Sequence, residues 1–444
     1  MWPRQPPRTD TIGQMVPTST LRARFAASLS AMYGREVPAY TTLVEVTEEV
    51  NRDVMHRDGA DAERLGTLAR VSAERHGAIR VGTPNEMRSV ATIFAAFGMY
   101  PVGFYDLRDA ATPIPVVSTA FRPVDPDELS RNPFRVFTSL LVTDDRRFFG
   151  PELQERLETF LDERTLFSPE LLELAEQGDL DDSDADRFVE LATAAFEIGS
   201  EPVDREWYDT LEAVSSVAAD IGGVTTTHIN HLTPRVLDID ELYTRMQDRG
   251  IEMIDRIQGP PRTDGPAVLL RQTSFRALAE PRTFRSSDAS VYTDSLRVRF
   301  GEVEARGIAL TEKGRTIYDA DGDYPDTEPE LAAQDIGYFT YSMNPDRPQD
   351  DRPADLATAI RGGWLIPNPI VYEDFLPASA AGIFRSNLTG DGAKDDAKQG
   401  SPWSVDRMSE VIGRTVADPH DLYRAQSTAS LQAMLRDDTL GSHS

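Results

Sequence analysis

The sequence predicts an α+β fold in which two βαβββ modules form a curved, incomplete barrel with helical segments added to it. The apolar pattern runs strand, helix, strand, strand, strand in two separate parts of the chain. The same short pattern, His-x-x-x-Arg-Val, opens both parts, at His76 and again at His231. This similarity at equivalent points indicates an internal repeat, and an acidic helical stretch separates its two copies.

The composition is that of a folded protein with a sizeable core. The chain has 444 residues, 40% of them hydrophobic, which fits two or three units packed around a common core. No apolar run approaches the ~18 residues of a membrane span, and the polar N-terminus lacks the apolar region of a secretory signal. Cysteine is absent, so any metal site has to use His, Asp and Glu. We therefore expect a cytoplasmic protein with no membrane partner.

The charge of the chain is strongly acidic. The formal net charge is −28, from 46 basic and 74 acidic residues. This is the wrong sign for neutralising phosphates, so we expect no nucleic-acid partner. Few of the basic residues are lysines, and acid-rich, lysine-poor surfaces fit a cytoplasm at high salt. We therefore predict a halophilic host; an ordinary acidic protein from a GC-rich genome is the alternative.

The N-terminal segment, residues 1–75, is predicted to be helical, followed by the first βαβββ module over residues 76–150. Helices are predicted over 20–33, 41–54 and 61–74. In the module, Thr83 is a suitable N-cap and Pro84 a suitable first residue for the helix. The strands of the module are predicted at 76–81, 99–104, 116–121 and 134–142.

The second half of the chain is predicted to repeat this order. Residues 151–220 form an acidic helical insertion, whose carboxylates face solvent. Residues 221–312 form the second module, which carries the metal site, with its helix capped by Asp238 or Asp240. The strands of this module are predicted at 231–236, 251–254, 268–272 and 295–310. Residues 313–444 are expected to pack on the barrel and to contribute a substrate loop.

Paired βαβββ modules of this kind resemble the vicinal-oxygen-chelate architecture, in which first strands and a last strand supply a metal site. The first-strand histidines would be His76 and His231. His228 competes with His231, but three residues of separation on a strand turn the two side chains to opposite faces. The segment 300–306 is similar to the Phe-x-Glu-hydrophobic-x-x-Arg signature of hydroxyphenylpyruvate dioxygenase-like members, which selects Glu302. Glu304 shares its face, so periodicity alone leaves both glutamates open.

Two histidines and one carboxylate form a facial triad with defined chemistry. Such a set occupies one face of an octahedral metal and leaves three positions open. Non-haem Fe(II) in this site can bind a 2-oxo acid through two oxygens and still bind O₂.

Four segments together narrow the resemblance: 76–80, 229–235, 300–307 and 372–384. They resemble the 2-oxoadipate dioxygenase/decarboxylase family, also called D-2-hydroxyglutarate synthase, over roughly residues 40–388. The resemblance implies Fe(II) as cofactor, held by His76, His231 and Glu302. It implies that Arg80, on the same strand face as His76, is a catalytic residue that grips a substrate carboxylate. It also implies a substrate site that includes His76, Arg80, Ala378 and Ser379, with the last two at the distal carboxylate.

The expected function is conversion of 2-oxoadipate and O₂ to D-2-hydroxyglutarate and CO₂ by an Fe(II)-dependent dioxygenase/decarboxylase of lysine catabolism. The expected partners are a small-molecule 2-oxo acid and O₂. Two alternatives stay open at this point. One is a metal-dependent isomerase or lyase on the same scaffold that does not use O₂. The other is a non-catalytic binding protein that has kept the fold.

Overall fold

The computed structural model describes residues 15–110, 112–277, 279–296, 299–348, 353–376 and 394–441. These residues form a mixed α+β structure with open sheets that do not close into a barrel. The predicted fold class is therefore confirmed. No helix in the described ranges is long and apolar enough to cross a membrane. The predicted division of the chain into five segments stays a prediction.

Helices dominate the N-terminal part and the middle of the chain. A short 3-10 helix, Gly59–Glu63, follows the second helix. The α-helices are α1 Thr18–Glu36, α2 Pro38–Asp58, α3 Leu68–Ala73, α4 Pro84–Ala96, α5 Pro126–Arg131, α6 Pro151–Glu163, α7 Pro169–Gln177, α8 Asp182–Ala194, α9 Arg205–Glu212, α10 Ser216–Gly222, α11 Ile239–Asp248, α12 Glu312–Asp319, α13 Glu328–Ala333, α14 Leu356–Arg361, α15 Val405–Ile412 and α16 Pro419–Gly441.

The strands of the described residues form one larger sheet and three smaller ones. They are β1 Arg75–Val81, β2 Tyr100–Asp106, β3 Val116–Arg122, β4 Arg135–Leu141, β5 Val203–Asp204, β6 His231–Pro234, β7 Leu270–Ser274, β8 Glu280–Arg285, β9 Val291–Leu296, β10 Glu302–Arg306, β11 Phe339–Met343 and β12 Leu365–Pro369.

The first module has the predicted order β1-α4-β2-β3-β4. The strands lie in a five-stranded sheet in the order β2-β3-β4-β1-β6. β1 runs parallel to β4, because α4 carries the chain across the sheet between β1 and the following strands. Thr83 caps α4 in a complete capping box with Glu86, as its sequence predicts. Gly98, with φ of 69°, lets the chain leave the helix in the left-handed region.

The second module keeps the initial strand and helix but not a continuous sheet. β6 adds to the first sheet as the antiparallel neighbour of β1. Asp238 accepts a hydrogen bond from the N–H of Glu241, so Asp238 rather than Asp240 caps α11. The strand predicted at 251–254 is wrong, since only Met253 makes an isolated bridge there. The long strand predicted at 295–310 is two strands, since β9 ends at residue 296 and β10 starts at residue 302.

The layers around the sheet explain why nearly all of β1 is buried. One face packs against apolar residues of α1, α2 and α4, among them Phe25, Leu43 and Phe94. The other face packs with α6, α9 and α10, including Leu157 and Trp207. The predicted helical insertion thus contributes apolar residues to the core, and most of its acidic residues are exposed, whereas Asp220 of α10 is buried. Such burial on both faces places any polar group of β1 in a low-dielectric interior.

Candidate metal centre

Three adjoining strands bring the predicted metal ligands together. In the antiparallel pair of β1 and β6, Ala78 lies opposite His231, so His76 is one diagonal step away. β10 adjoins β6, since the N–H of Val236 donates to the carbonyl of Glu304 at 2.8 Å. Glu302 therefore projects from the strand next to the two histidines. All three side chains are buried.

The geometry of these three residues is that of a metal-ligand set. One ligand atom from each of His76, His231 and Glu302 lies within 4.8 Å of the others. Glu302 Oε2 lies 3.3 Å from His231 Nδ1 and 3.9 Å from His76 Nε2. The two imidazole rings are perpendicular, with centroids 5.4 Å apart. Within the described part of the chain, this is the group of three such residues that could hold a metal ion.

The electrostatics of the set favour a bound cation. Burial, reinforced by the charge of Glu304, raises the pKa of Glu302 well above its usual range. Burial also lowers the pKa of His231 well below its usual value, helped by the charges of His76 and Arg80. No arginine or lysine of the described residues forms an ion pair with Glu302. Neutral imidazoles are the ligand form of histidine, and a carboxylate without a cationic partner is stabilised by a metal ion. The residues present therefore fit a divalent metal.

Each ligand is held by a neighbouring polar group. Glu304 Oε2 lies 2.9 Å from His76 Nδ1. The hydroxyl oxygen of Thr233 lies 3.0 Å from His231 Nδ1, the same nitrogen that faces Glu302, and Gln272 donates to Glu302. Such contacts fix the ring orientation and the basicity of a ligand. The structure distinguishes the two glutamates that periodicity left open. Glu302 faces both histidines, whereas Glu304 contacts only His76 of the two, at the ring nitrogen that points away from Glu302.

Glu304 also belongs to a second buried cluster, which we call the arginine–carboxylate network. Arg306 binds Glu304 through two hydrogen bonds, of 2.7 and 2.9 Å. Glu74 accepts from Arg135 at 2.7 Å and from Arg235 at 2.9 Å. The members of the network are Glu74, Arg135, Arg235, Glu304, Arg306 and Glu373. Every carboxylate in it faces at least one arginine.

Arg80, the predicted substrate-binding residue, lies on β1 on the same face as His76. The side chain is buried and forms an ion pair with the buried Asp220 of α10. Its charge is close enough to contribute to the lowered pKa of His231. Arg80 is thus beside the ligand set, as its spacing from His76 predicts. Arg235, the repeat equivalent of Arg80, belongs instead to the arginine–carboxylate network.

His228 lies outside the ligand set. Residues 227–230 precede β6 and are not part of the strand. His228 Nε2 lies 3.3 Å from Asp220 Oδ1, on the side of Arg80. The prediction that strand alternation turns His228 away from His231 does not apply, because residues 227–230 form an irregular segment rather than a strand.

Two of the predicted substrate contacts, Ala378 and Ser379, lie outside the described residues. Sequence reasoning did not select Asp220, Gln272, Thr233 or Glu74 as parts of the site. A sequence signal exists for Thr233, since it lies two residues from His231 on one strand face. Asp220 and Glu74 had no local signal, because their partners come from distant parts of the chain.

The fold and the buried triad together define a class, the metal-dependent enzymes in which two histidines and one carboxylate form the metal site. Comparison with known proteins narrows this class. The model of the 2-oxoadipate dioxygenase/decarboxylase family matches residues 25–387. The chain belongs to the 2-oxoadipate dioxygenase/decarboxylase family.

Individual relatives agree with this assignment. The chain is 57% identical over 423 residues to a 2-oxoadipate dioxygenase/decarboxylase of Mycobacterium bovis, covering 92% of this chain and 96% of the relative. It is 40% identical to the Pseudomonas putida protein of the same name, covering 96% and 98%. It superposes with a TM-score of 0.81 on the crystal structure of the P. putida hydroxyglutarate synthase in complex with 2-oxoadipate, at 37% identity and covering 94% and 98%. None of these comparisons supports the predicted halophilic host, which stays a prediction.

Proposed function

We propose that the protein converts 2-oxoadipate and O₂ to D-2-hydroxyglutarate and CO₂ as an Fe(II)-dependent enzyme. The observation that carries this proposal is the buried set of His76, His231 and Glu302 in a chain of this family. Relatives at 57% and 40% identity carry the name of this activity, and a P. putida relative was crystallised with 2-oxoadipate.

In this proposal His76, His231 and Glu302 hold the iron. When bound, Fe(II) supplies the electrons that activate O₂ and a Lewis acid that polarises the 2-oxo group. The low pKa of the buried histidines keeps both imidazoles neutral at physiological pH, which is the form that binds a metal. Glu304, next to His76 Nδ1, holds that ring in one orientation.

Arg80 binds a carboxylate of the substrate in this proposal. 2-Oxoadipate carries two carboxylates, and a buried guanidinium pairs strongly with such a group. The arginine is positioned on the strand that also carries His76, so the substrate is held next to the ligands. Ala378 and Ser379 remain the proposed contacts of the distal carboxylate, from the family resemblance.

Aromatic rings enclose the ligands and limit the access of water. Phe375 contacts His76 edge-on, with ring centroids 4.9 Å apart. Phe300 stacks on His231 at 5.3 Å. An apolar wall of this kind strengthens the electrostatic interactions within a site and protects a reactive species from solvent. The site is thus suited to oxygen chemistry in which stray water has to be excluded.

We place the reaction in lysine catabolism and in the cytoplasm, on the family resemblance.

The test is anaerobic reconstitution with Fe(II), followed by addition of O₂ and a panel of 2-oxo acids that differ in chain length. We expect O₂ uptake and CO₂ release to be fastest with 2-oxoadipate, and chiral chromatography to identify D-2-hydroxyglutarate. Parallel reactions without O₂ and with Zn(II) in place of Fe(II) serve as controls. Product formation from 2-oxoadipate without O₂ would contradict the proposal and favour an isomerase or lyase.

A further inference from the structure

The buried residue Asp220 has no role in the family resemblance, and its contacts converge on Arg80. It lies on α10, in the segment just before the stretch that leads to His231. Arg80 donates to Asp220 Oδ2 through Nη1, and the two side chains are only 3% and 4% exposed. An ion pair so well removed from water is held in one arrangement, because breaking it leaves two uncompensated charges.

Asp220 is itself fixed by further donors. Asn230 Nδ2 donates to Asp220 Oδ2 at 2.9 Å, and His228 Nε2 lies 3.3 Å from Asp220 Oδ1. The carboxylate therefore faces three donor groups from two parts of the chain. These contacts, together with the charges of His228 and Arg80, outweigh the effect of burial and lower the pKa of Asp220. The carboxylate stays ionised, and both of its oxygens have partners that fix its position.

The backbone around Arg80 is held by the same stretch. The hydroxyl of Thr227 donates to the carbonyl of Arg80 at 2.8 Å. The N–H of Asn230 donates to the carbonyl of Ala78 at 2.8 Å. Residues 227–230 thus run along β1 and then enter β6, where His231 joins the metal ligands. One continuous piece of chain thus contacts the strand that carries Arg80 and supplies one of the metal ligands, His231.

We propose that Asp220 is a positioning residue that fixes the guanidinium of Arg80 in the orientation that receives the substrate carboxylate. This inference rests on the proposed function, in which Arg80 binds that carboxylate. An arginine side chain has many rotamers, and holding it before the substrate arrives removes that ordering cost from binding. His228 and Asn230 act through Asp220. The two histidines of the segment, His228 and His231, therefore have different roles. His231 serves the metal and His228 serves the arginine.

The experiment compares Asp220→Asn with the parent enzyme reconstituted with Fe(II). Asparagine keeps the shape of aspartate but removes the charge that pairs with Arg80. We expect KM for 2-oxoadipate to rise about tenfold or more, as for the loss of a charge-assisted hydrogen bond, with kcat changed less and iron content unchanged. Asp145→Asn is the matched control, since Asp145 is also a buried aspartate that binds two arginines, Arg108 and Arg147, elsewhere in the fold. It should lower Tm without raising KM.

A double-mutant cycle separates positioning from general damage. If Asp220 acts through Arg80, Asp220→Asn should have little further effect on KM in an Arg80→Ala background. An equal effect of Asp220→Asn in both backgrounds would overturn the inference. So would a parent-like KM in Asp220→Asn while Arg80→Ala raises KM. A parent-like KM in Arg80→Ala itself would overturn both the inference and the proposed role of Arg80, so the two failures are distinguishable.

If Asp220→Asn does not fold, Asp220→Glu is the variant to measure instead. It keeps the buried ion pair but lengthens the carboxylate arm by one methylene and so moves the guanidinium. We expect a KM increase of about threefold, smaller than for Asp220→Asn, with iron binding unchanged. A parent-like KM in this folded variant would overturn the inference.

Discussion

The two buried polar clusters at the centre of the protein, the ligand set and the arginine–carboxylate network, are neighbours with opposite electrostatics. In the network, Glu74 faces Arg135 and Arg235, and Glu304 faces Arg306. These cations lower the pKa of both carboxyl groups despite their complete burial. Glu302 is two residues from Glu304 on the same strand face, yet burial raises its pKa, because no arginine pairs with it within the described residues.

This difference distinguishes a structural role from a functional one. Buried charges are tolerated when they are paired or when they bind a metal. The network is complete within the protein, whereas the ligand set needs a cation from outside. Glu304 joins the two, since it binds Arg306 and also lies against His76. The network can therefore hold the metal ligands without competing for the metal.

Glu302→Gln changes the ligand set and should have the largest effect on turnover. Glutamine keeps the shape but lacks the anionic ligand, so we expect turnover to be abolished. The metal-free protein should be as stable as the parent, within about 0.5 kcal/mol, or more stable, because the buried carboxyl group has no cationic partner and is costly to ionise, whereas the amide carries no charge. Turnover assays and chemical denaturation of the metal-free proteins measure both quantities. Normal turnover would remove Glu302 from the ligand set.

Glu74→Gln makes the matched change in the network and should have the opposite outcome. Arg235 loses its carboxylate partner, and no second one pairs with it among the described residues. Removing one member of a buried ion pair costs about 3–5 kcal/mol, so the free energy of unfolding should fall by that amount. At temperatures where the variant is folded, its affinity for Fe(II) should equal that of the parent. An unchanged unfolding free energy would contradict the structural role of the network.

Glu304→Gln changes the residue that the two clusters share and should weaken iron binding without abolishing turnover. The amide can still contact His76 but carries no charge, so the imidazole becomes a weaker and less oriented ligand. We expect the affinity for Fe(II) to fall by about 10–100-fold, with turnover recovered at saturating iron. Anaerobic iron titration followed by activity gives both values. Loss of activity that no iron concentration restores would instead make Glu304 a direct ligand.

Much of the positioning of the site is predictable from the sequence. The repeated His-x-x-x-Arg-Val pattern and the signature around Glu302 select three residues that the structure brings within 4.8 Å. The local signals of the first module, such as the Thr83 cap and Pro84 at the start of the helix, also predict its elements closely. That these three residues bind iron stays a prediction. These parts of the site can be predicted because they depend on patterns that are local or that recur within the chain.

The parts that sequence could not predict depend on pairing between distant residues. Arg80 and Asp220 are 140 residues apart, and Glu74 and Arg235 are 161 apart, so no spacing rule connects them. The apolar run at 251–254 has the composition of a strand, but only Met253 finds a bridging partner. Whether such a segment becomes a strand depends on tertiary pairing, because strand formation depends on the neighbouring chain more than on intrinsic propensity.

The central claim is that the unpaired carboxylate of Glu302 marks a site for one iron. The most direct measurement is an anaerobic titration of the metal-free protein with Fe(II), followed by calorimetry, for the parent and for Glu302→Gln. We predict a single Fe(II) bound per chain in the parent, a raised Tm on binding, and no specific binding in the folded variant. Equal binding of Fe(II) by the parent and by Glu302→Gln would contradict the account.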